Sequence, residues 1–397
     1  ASDQAPTIES NHATVIGEQY KQGLTVDLKE ALEGENPYDK KIWKDCFVDG
    51  KLEQATDYTQ PWHVALPLFD LGVAYYYNMD LYEKLNLKIP ETWNEFIHNC
   101  EVIEQDGTNP IAFMAQKKDA VVWFMWYLNT GLLGDAFLSD NNININGDCA
   151  VSNNEIAAAI SNGKIDLTTG RYKELQERFW DEVKKYAKYS QNATGFDEAA
   201  AKSQLLTGKA AHLMSGSWDI QSFMENEENV RIGAFKLPLF TKENSEYVCG
   251  NPVIGGVQSL TVTKSAEKDP AVKEAAIDFL QFMFSKEQYK IFVDSTKQIP
   301  TVKELDVDPI FEAFQGGSVP VDNILCLDSD KMAQTPTDAV MQLLSGQDFD
   351  YADMEKKLNE NYKMWLEEYE SDGKFTKENN YGLDELEMRG GKYEKAQ

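Results

Sequence analysis

The sequence predicts an α/β protein, because apolar runs typical of strands alternate along the chain with amphipathic helical runs. The run 69–77 is aromatic and β-branched, and a helix start follows it at Thr92, which can form a capping box with Glu95. After Gly107 the run 110–114 predicts another strand. A strand, a helix and a strand in this order form the unit from which mostly parallel sheets are built.

The same alternation recurs in the second half of the chain. Asp197 predicts a helix start, Gly208 predicts its end, and the run 210–214 predicts a buried strand. A tight loop of small residues, 215–217, precedes another helix that begins near Trp218. The remaining predicted elements are strands at 231–235 and 258–262, helices at 269–284 and 351–369, and a loosely attached polar tail at 370–397.

Length and charge limit the classes of partner. A chain of 397 residues is too long for one ordinary core and predicts two or three domains. Asp and Glu total 66 against 38 Lys and Arg, which gives a formal net charge of −28. This balance argues against nucleic acid, which binds through Lys and Arg, and against anionic membrane surfaces. No apolar run in the sequence is long enough to cross a bilayer.

The sequence contains no catalytic motif that we can recognise. Its 4 histidines are scattered singly, and it has no metalloprotease, serine hydrolase, dinucleotide-binding or phosphate-loop motif. His212 lies in an apolar run and is interpreted as a core histidine, whereas His98 lies on the exposed side of a helix. Paired carboxylates carry no information, because 66 acidic residues place some pair at glycosidase spacing in any fold.

Cysteine and asparagine patterns give no support for a bound metal. The 5 cysteines include no CxxC pair, which excludes a compact zinc knuckle and is typical of an environment that seldom oxidises thiols. The segment 142–148 resembles the start of a calcium loop, but Asn153 stands where such a loop has Glu. A β-hairpin that turns at Asn146 and Gly147 explains the segment more simply. We therefore expect neither a metal nor another cofactor.

Tryptophans near predicted loops are the main indication of a binding site. Trp62 precedes a proline-containing segment, 65–68, that has the composition of a joint between domains. Trp123 and Trp126 follow a polar loop, and Trp218 follows the small-residue loop. An indole face can bury the apolar face of a pyranose ring while polar groups bond its hydroxyls. Burial in the core is the alternative for each tryptophan; for Trp218 we favour a site, and for Trp126 core packing is as good an explanation.

Three stretches together resemble the sugar-binding components of ABC importers, extracellular solute-binding protein family 1, which includes maltose-binding protein. Their order and spacing match the family across positions 65–300. The stretches are ALPLFDLGVAYYYNMD at 65–80 with IPETWNEF at 89–96, LTGKAA at 206–211 with MSGSW at 214–218, and 254–264 with the helix 273–284 and Ser285-Lys286-Glu287.

The resemblance implies a periplasmic-binding-protein-like fold, in which two α/β lobes are joined by a multi-segment hinge and hold the ligand in the cleft between them. The first lobe would comprise 1–68 and 257–310, and the second lobe 69–256 and 311–397. Trp218 and Trp123 match the family's stacking positions, and Asp70 and Asp219 would bond sugar hydroxyls. The full set of expected ligand-binding residues is Trp62, Phe69, Asp70, Trp123, Trp126, Ser217, Trp218, Asp219, Gly255 and Gly256.

The chain departs from the family pattern in two places. The family has a strand, a helix and a strand ahead of the segment that resembles residues 5–8, so we expect the first lobe to lack central strands and part of its ligand surface. The C-terminal helices carry no tryptophan where maltose-binding protein stacks one, because Trp365 falls about one helix later, which argues against a maltose-type pose. The resemblance also implies an extracytoplasmic protein, either a cell-surface lipoprotein or a periplasmic protein. Residues 1–4 have no signal features, so we expect the signal to be absent from this chain.

The leading hypothesis is a monomeric, non-enzymatic carrier that captures a mono- or oligosaccharide and delivers it to the permease subunits of an ABC transporter. One alternative is a glycan-active hydrolase that uses two of the many carboxylates. Another is a carrier for a cationic solute such as a polyamine, which suits a net charge of −28. Surface charge is mostly solvated and says little about a binding site, so the sugar ranks first.

Overall fold

The structure, a computed structural model, describes the chain except for several short segments. The described residues are 5–56, 61–190, 193–225, 229–249, 255–306, 308–315, 330–371, 373–385 and 392–393. Residues 250–254, which belong to a glycine-rich segment that the sequence also predicts as a joint, lie outside the described residues, as do part of the predicted tail and Cys326.

The described strands and helices alternate along the chain, which confirms the predicted α/β class. The strands are β1 (Ile8–His12), β2 (Glu35–Asn36), β3 (Lys41–Ile42), β4 (Leu66–Asn78), β5 (Asn109–Ile111), β6 (Ala210–Gly216), β7 (Ile232–Phe235) and β8 (Gly255–Val262). The helices in the first half are α1 (Ala13–Lys21), α2 (Lys29–Glu33), α3 (Lys51–Gln54), α4 (Met79–Leu85), α5 (Trp93–Gln105), α6 (Lys118–Leu138), α7 (Asn153–Ser161) and α8 (Gly170–Lys188). The helices in the second half are α9 (Glu198–Leu206), α10 (Ile220–Met224), α11 (Pro270–Met283), α12 (Lys286–Thr296), α13 (Asp330–Leu344) and α14 (Tyr351–Glu370).

The chain folds into two compact units. Unit 1 comprises Ala1–Gly72, Gly216–Ser222 and Gly255–Phe314, and unit 2 comprises Val73–Ser215, Phe223–Ile254 and Gln315–Gln397. The two lobes inferred from the resemblance stay a prediction. The predicted lobe bounds lie within a few residues of the unit bounds at most points where the chain passes from one unit to the other. The main difference is residues 216–222, which belong to unit 1.

The sheet of unit 1 is antiparallel. Strand β8 pairs with β1 on one side and with the first half of β4 on the other. The register along β4 shifts between Pro67 and Phe69. Proline has no N–H to donate to a neighbouring strand, so it is tolerated where the ladder is irregular.

The segment predicted as a joint, 65–68, is buried strand rather than a connecting loop, and its last three residues belong to β4. Side chains complete the hydrogen bonding at the register shift. The hydroxyl of Thr301 donates to the carbonyl of Pro67 and that of Tyr289 to the carbonyl of Leu68, both at 2.5 Å. Apolar composition around a proline therefore marked an irregular strand.

In unit 2 the second half of β4 pairs antiparallel with β7, and β5 pairs parallel with β6. Helix α5 begins with the predicted capping box, because the Thr92 hydroxyl accepts the N–H of Glu95 and a Glu95 carboxylate oxygen accepts the N–H of Thr92. Asp197 caps α9 by accepting the N–H of Ala200 at 2.8 Å. Both predicted helix starts are confirmed, because each depends on side chains within three residues of the cap.

His212 is a core histidine, as predicted. It is 0% exposed on β6, with Nδ1 at 2.8 Å from the carbonyl oxygen of Pro110 and Nε2 at 2.7 Å from the hydroxyl of Tyr82. Since a carbonyl only accepts, Nδ1 carries the proton and Nε2 accepts from Tyr82. Burial lowers the pKa of His212 to about 3, and the hydrogen bond to Pro110 opposes this shift only in part.

We expect His212 to make the protein less stable as the pH falls. Between its unfolded pKa near 6.5 and its folded pKa, only the unfolded chain binds the proton, so the free energy of unfolding should fall by about 1.4 kcal/mol per pH unit. Urea unfolding of wild type and of His212→Gln between pH 7.5 and 5 measures this. The variant should have the shallower slope. Equal slopes for wild type and His212→Gln would contradict the assignment.

The predicted hairpin at Asn146 and Gly147 is wrong, since residues 139–150 contain no strand. Side chains take up the backbone groups instead. The amide of Asn144 donates to the carbonyls of Leu138 and Asp148, and Glu155 accepts the N–H of Ile145 at 2.8 Å. Backbone groups satisfied in this way are not available to a cross-strand ladder.

The expectation of a loosely attached tail is also wrong for the described part of residues 370–397. Tyr381 is 1% exposed, and its carbonyl accepts from the amide of Asn154 in α7 at 2.8 Å. Further on, the hydroxyl of Tyr393 donates to Asp135 at 2.8 Å. Two tyrosines in a polar segment therefore fasten it to unit 2.

Candidate functional site

In unit 1 the candidate site is built where β6 ends. The run Ala210–Gly216 is buried throughout and continues as strand through Gly216, so the predicted small-residue loop is largely strand end. A 3-10 turn, Ser217–Asp219, follows. The hydroxyl of Ser217 accepts the N–H of Gly72 at 3.3 Å, which ties the turn to β4. Trp218 is half-buried between two buried neighbours, Ser217 and Asp219.

The predicted glycines of β8 lie beside the same part of β4. Gly255 is opposite Gly72, and Gly256 is opposite Leu71. A Cβ on Gly255 would overlap the carbonyl oxygen of Leu71, and one on Gly256 would lie 2.7 Å from the ring of His12. Gly255 therefore lies against backbone that leaves no room for a Cβ, whereas a Cβ on Gly256 would have to displace the ring of His12. Together with the Ser217 contact, this brings the predicted residues Ser217, Gly255 and Gly256 to one region of the unit.

Asp70 forms a buried ion pair that the sequence did not indicate. The ammonium of Lys51 in α3 lies 2.7 Å from Oδ2 of Asp70, whose side chain is 12% exposed. The other oxygen, Oδ1, is buried without a hydrogen-bond partner among the described residues. Burial raises the pKa of Asp70 above its ordinary value, and the charge and hydrogen bond of Lys51 oppose that rise. One carboxylate oxygen is thus held by lysine and the other remains an unsatisfied acceptor.

Two further predicted residues of unit 1, Phe69 and Trp62, each contact other side chains of that unit. Phe69 stacks on Phe292 of α12 with ring centroids 6.2 Å apart. Trp62 is half-buried, meets His63 edge to face, and has the ammonium of Lys44 at 5.5 Å from its ring centroid.

In unit 2 the two predicted tryptophans lie on α6 and are both half-buried. The ammonium of Lys117 lies 5.3 Å from the ring centroid of Trp123. Glu198 holds that ammonium at 2.5 Å and also binds Lys202 at 2.6 Å, and these hydrogen bonds lower the pKa of Glu198. A cation fixed over an aromatic face holds the indole through the ring quadrupole.

These arrangements suit binding better than acid–base chemistry. The carboxylate of Asp70 in unit 1 and the carboxylate of Glu198 in unit 2 are each engaged by lysine ammonium groups. The partly exposed indoles offer flat apolar faces, and lysine ammonium groups lie over the rings of Trp62 and Trp123. Flat apolar faces with a few polar groups nearby are typical of sites for small polar ligands with an apolar side.

A family comparison decides what kind of protein this is. The sequence profile of the family described as bacterial extracellular solute-binding protein matches residues 8–290. The chain belongs to this family. A curated relative, the galactooligosaccharide-binding protein of Bacillus subtilis (strain 168), is 29% identical over 104 residues. The match covers 26% of this chain and only 22% of the length of that relative.

Solved structures show that the solute-binding protein has the fold predicted from the resemblance. It is similar to a binding protein, MsmE, from Bacillus subtilis subsp. subtilis str. 168 in an open conformation, with a TM-score of 0.64 and 18% identity over 93% of this chain and 85% of the other. It is also similar to a sugar transporter protein from Bacillus licheniformis in complex with stachyose, with a TM-score of 0.61 and 17% identity over 91% and 86% of the two chains. The periplasmic-binding-protein-like fold class is thereby confirmed.

Within the described part of the chain, no helix of the solute-binding protein combines the length and the hydrophobicity needed to cross a membrane.

Two cavities in unit 2 lie away from the predicted residues. One, of about 590 Å³, lies between the end of α7 and α14, and the other, of about 350 Å³, lies around α4. The residues that line these two cavities include none of the predicted ligand-binding residues.

Sequence reasoning missed the residues that hold the predicted ones. Asp70 is paired with Lys51. The ring of Trp62 lies beside Lys44, and the ring of Trp123 lies beside Lys117. The hydroxyl of Ser217 is held by the N–H of Gly72. No sequence pattern indicates the contacts of the three lysines, because a lysine in a polar stretch is normally interpreted as a solvated surface residue. Gly72 stood inside a predicted strand, and its side-chain partner lies 145 residues away.

Proposed function

We propose that this solute-binding protein captures a mono- or oligosaccharide outside the cytoplasm and delivers it, unaltered, to the permease subunits of an ABC transporter. In this role it acts as a monomer, needs no cofactor and does not bind nucleic acid. Its place is the cell surface as a lipoprotein, or the periplasm. The proposal rests on the family to which the chain belongs and on the aromatic surfaces of the two units.

Sugar as the solute is supported by relatives and by local chemistry. A curated relative binds galactooligosaccharide by its name, and a structural relative was solved with stachyose. Both are neutral oligosaccharides with apolar ring faces. The half-buried indoles of Trp218 and Trp123 offer surfaces for such faces, and Asp219, next to Trp218, supplies an acceptor for hydroxyls.

The observation that carries the proposal is the position of Trp218. It is an aromatic side chain kept half-buried between two buried residues at the end of a buried strand. Trp43, Trp93 and Trp180 are at 0% exposure and serve packing, whereas the indole of Trp218 keeps part of its surface accessible to a ligand. Its place at the end of a strand suits a binding role, because a site on a regular element is held more precisely than a site on a loop.

Thermal unfolding in the presence of sugars tests the proposal. A sugar at about 100 times its Kd should stabilise the protein by about 2.7 kcal/mol, since it binds only the folded state. The panel is raffinose, stachyose, a galactooligosaccharide mixture, maltotriose, galactose and glucose, with spermidine as the cationic solute. We expect stabilisation by at least one neutral sugar and none by spermidine. Stabilisation by spermidine alone would favour the polyamine alternative and contradict the proposal.

Recovery of the bound sugar tests the absence of catalysis. After prolonged incubation with an equimolar amount of protein, the sugar should be recovered intact by chromatography. The family is one of binding proteins, and Asp70 and Glu198 are engaged by lysines, so we expect no cleavage. Release of shorter sugars at a rate proportional to protein concentration would establish the hydrolase alternative instead.

A further inference from the structure

The indole of Trp218 lies where a side chain of residue 216 would be. A Cβ built on Gly216 would overlap three atoms of the six-membered ring of Trp218, which are Cη2, Cζ2 and Cζ3. Carbon atoms that are not bonded to each other keep about 3.5–4.0 Å apart. Every residue other than glycine at position 216 would therefore exclude the observed orientation of the indole.

The need for glycine at this position is steric and not conformational. Gly216 has φ −93° and ψ 166°, which is ordinary extended backbone that any residue adopts. It is also the last residue of β6, where a side chain with strand propensity would be acceptable to the backbone. The backbone thus does not require glycine here, whereas the ring of Trp218 occupies the space that a Cβ would need.

Contacts on both sides of Trp218 fix its backbone. Ser217 is 0% exposed and accepts the N–H of Gly72, and Asp219 is 4% exposed with its carbonyl held by the hydroxyl of Ser222 at 2.8 Å. The backbone on either side of Trp218 is therefore anchored. The indole lies against the surface of Gly216, so an added side chain at that position would force the ring into another orientation.

We propose that Gly216 is a positioning residue for the ligand-binding indole of Trp218, which it holds at the orientation needed to stack on a sugar ring. The expected effect on sugar binding rests on the proposed function, whereas the packing of the indole on Gly216 does not. The sequence predicted only a tight loop of small residues at 215–217. The structure assigns the space above Gly216 to Trp218.

Fluorine NMR of the unliganded protein tests the positioning without any sugar. With 5-fluorotryptophan at the 8 tryptophans, the resonance of Trp218 is identified by its loss in Trp218→Phe. In Gly216→Ala this resonance should move by more than its linewidth while the others stay. The control is Gly195→Ala, because an added Cβ at the exposed Gly195 meets nothing within 4 Å. An unmoved Trp218 resonance in Gly216→Ala would overturn the inference.

A mutant cycle on sugar binding tests the consequence. Gly216→Ala should weaken binding of the best sugar about tenfold or more, and it should have no further effect in a Trp218→Ala background. Equal, additive losses in both backgrounds would overturn the positioning role. A moved resonance with unchanged affinity would contradict sugar stacking by Trp218, and hence the proposed site, while the packing of Gly216 under the ring would stand.

Thermal unfolding keeps the inference testable if Gly216→Ala folds poorly. Removing the ring should relieve the overlap, so the double variant Gly216→Ala with Trp218→Ala should unfold at the same temperature as Trp218→Ala alone. A double variant that is as unstable as Gly216→Ala alone would show that the added methyl group clashes with something other than the indole, and would overturn the inference.

Discussion

Replacing Trp218 by alanine is expected to weaken sugar binding about thirtyfold or more while leaving the protein folded. Truncation of a tryptophan that stacks on a ligand removes a large apolar contact, and such positions cost about 2 kcal/mol or more. The fold should survive because Trp218 is half-buried and its neighbours Ser217 and Asp219 stay anchored. Isothermal titration calorimetry with the best sugar of the panel, together with circular dichroism, measures both effects.

An exposed aromatic residue of the same unit provides the matched control for Trp218→Ala. Phe279 of α11 is 51% exposed and lies outside the predicted set, so Phe279→Ala should bind sugar with wild-type affinity. Similar losses in both variants would point to a general effect on unit 1. Wild-type affinity in Trp218→Ala would remove the stacking role of this residue.

Replacing Lys51 by methionine is expected to lower the free energy of unfolding by about 3 kcal/mol at neutral pH. The change leaves the buried carboxylate of Asp70 without its partner, and breaking one side of a buried ion pair costs about 3–5 kcal/mol. Adding Asp70→Leu should recover most of the loss, since the unpaired charge is then gone. Urea unfolding of the two variants measures the difference, and no recovery in the double variant would contradict this explanation.

The defect of Lys51→Met should shrink as the pH falls from 8 to 5. Burial already raises the pKa of Asp70, and losing Lys51 removes the groups that oppose the rise. An acid whose pKa is raised in the folded state binds its proton more readily when folded, so stability from this group increases as the pH falls. The control is Lys303→Met, because Lys303 and Asp49 form an exposed pair and should contribute less than about 1 kcal/mol. A defect that is constant with pH would contradict a role for the Asp70 charge.

Elements set by local signals could be predicted from the sequence. The capping box at Thr92 and Glu95 and the cap at Asp197 involve side chains that bond within three residues, and all of them form as expected. The burial of His212 followed from its apolar run. The hairpin at 146–147 failed because Asn144 and Glu155 satisfy the backbone of that segment with their side chains, which no pattern of hydrophobicity reveals.

The features that the sequence could not predict depend on contacts between distant parts of the chain. Lys51 and Asp70 are separated by 18 residues whose polar and apolar pattern gives no sign of an ion pair. Only the fold brings α3 and β4 together. Gly216 was predicted to lie in a tight loop, although it is the last residue of a strand and packs against Trp218. In both cases the residue type was visible in the sequence, but the atom that it meets was not.

Calorimetric titration of the wild-type protein with a neutral oligosaccharide of the panel measures whether this protein binds sugar. We expect saturable binding of one sugar per chain at micromolar Kd, about −8 kcal/mol, and no heat of binding with spermidine. Saturable binding of a charged solute, with no binding of any neutral sugar, would contradict a role for the half-buried indoles in holding a carbohydrate.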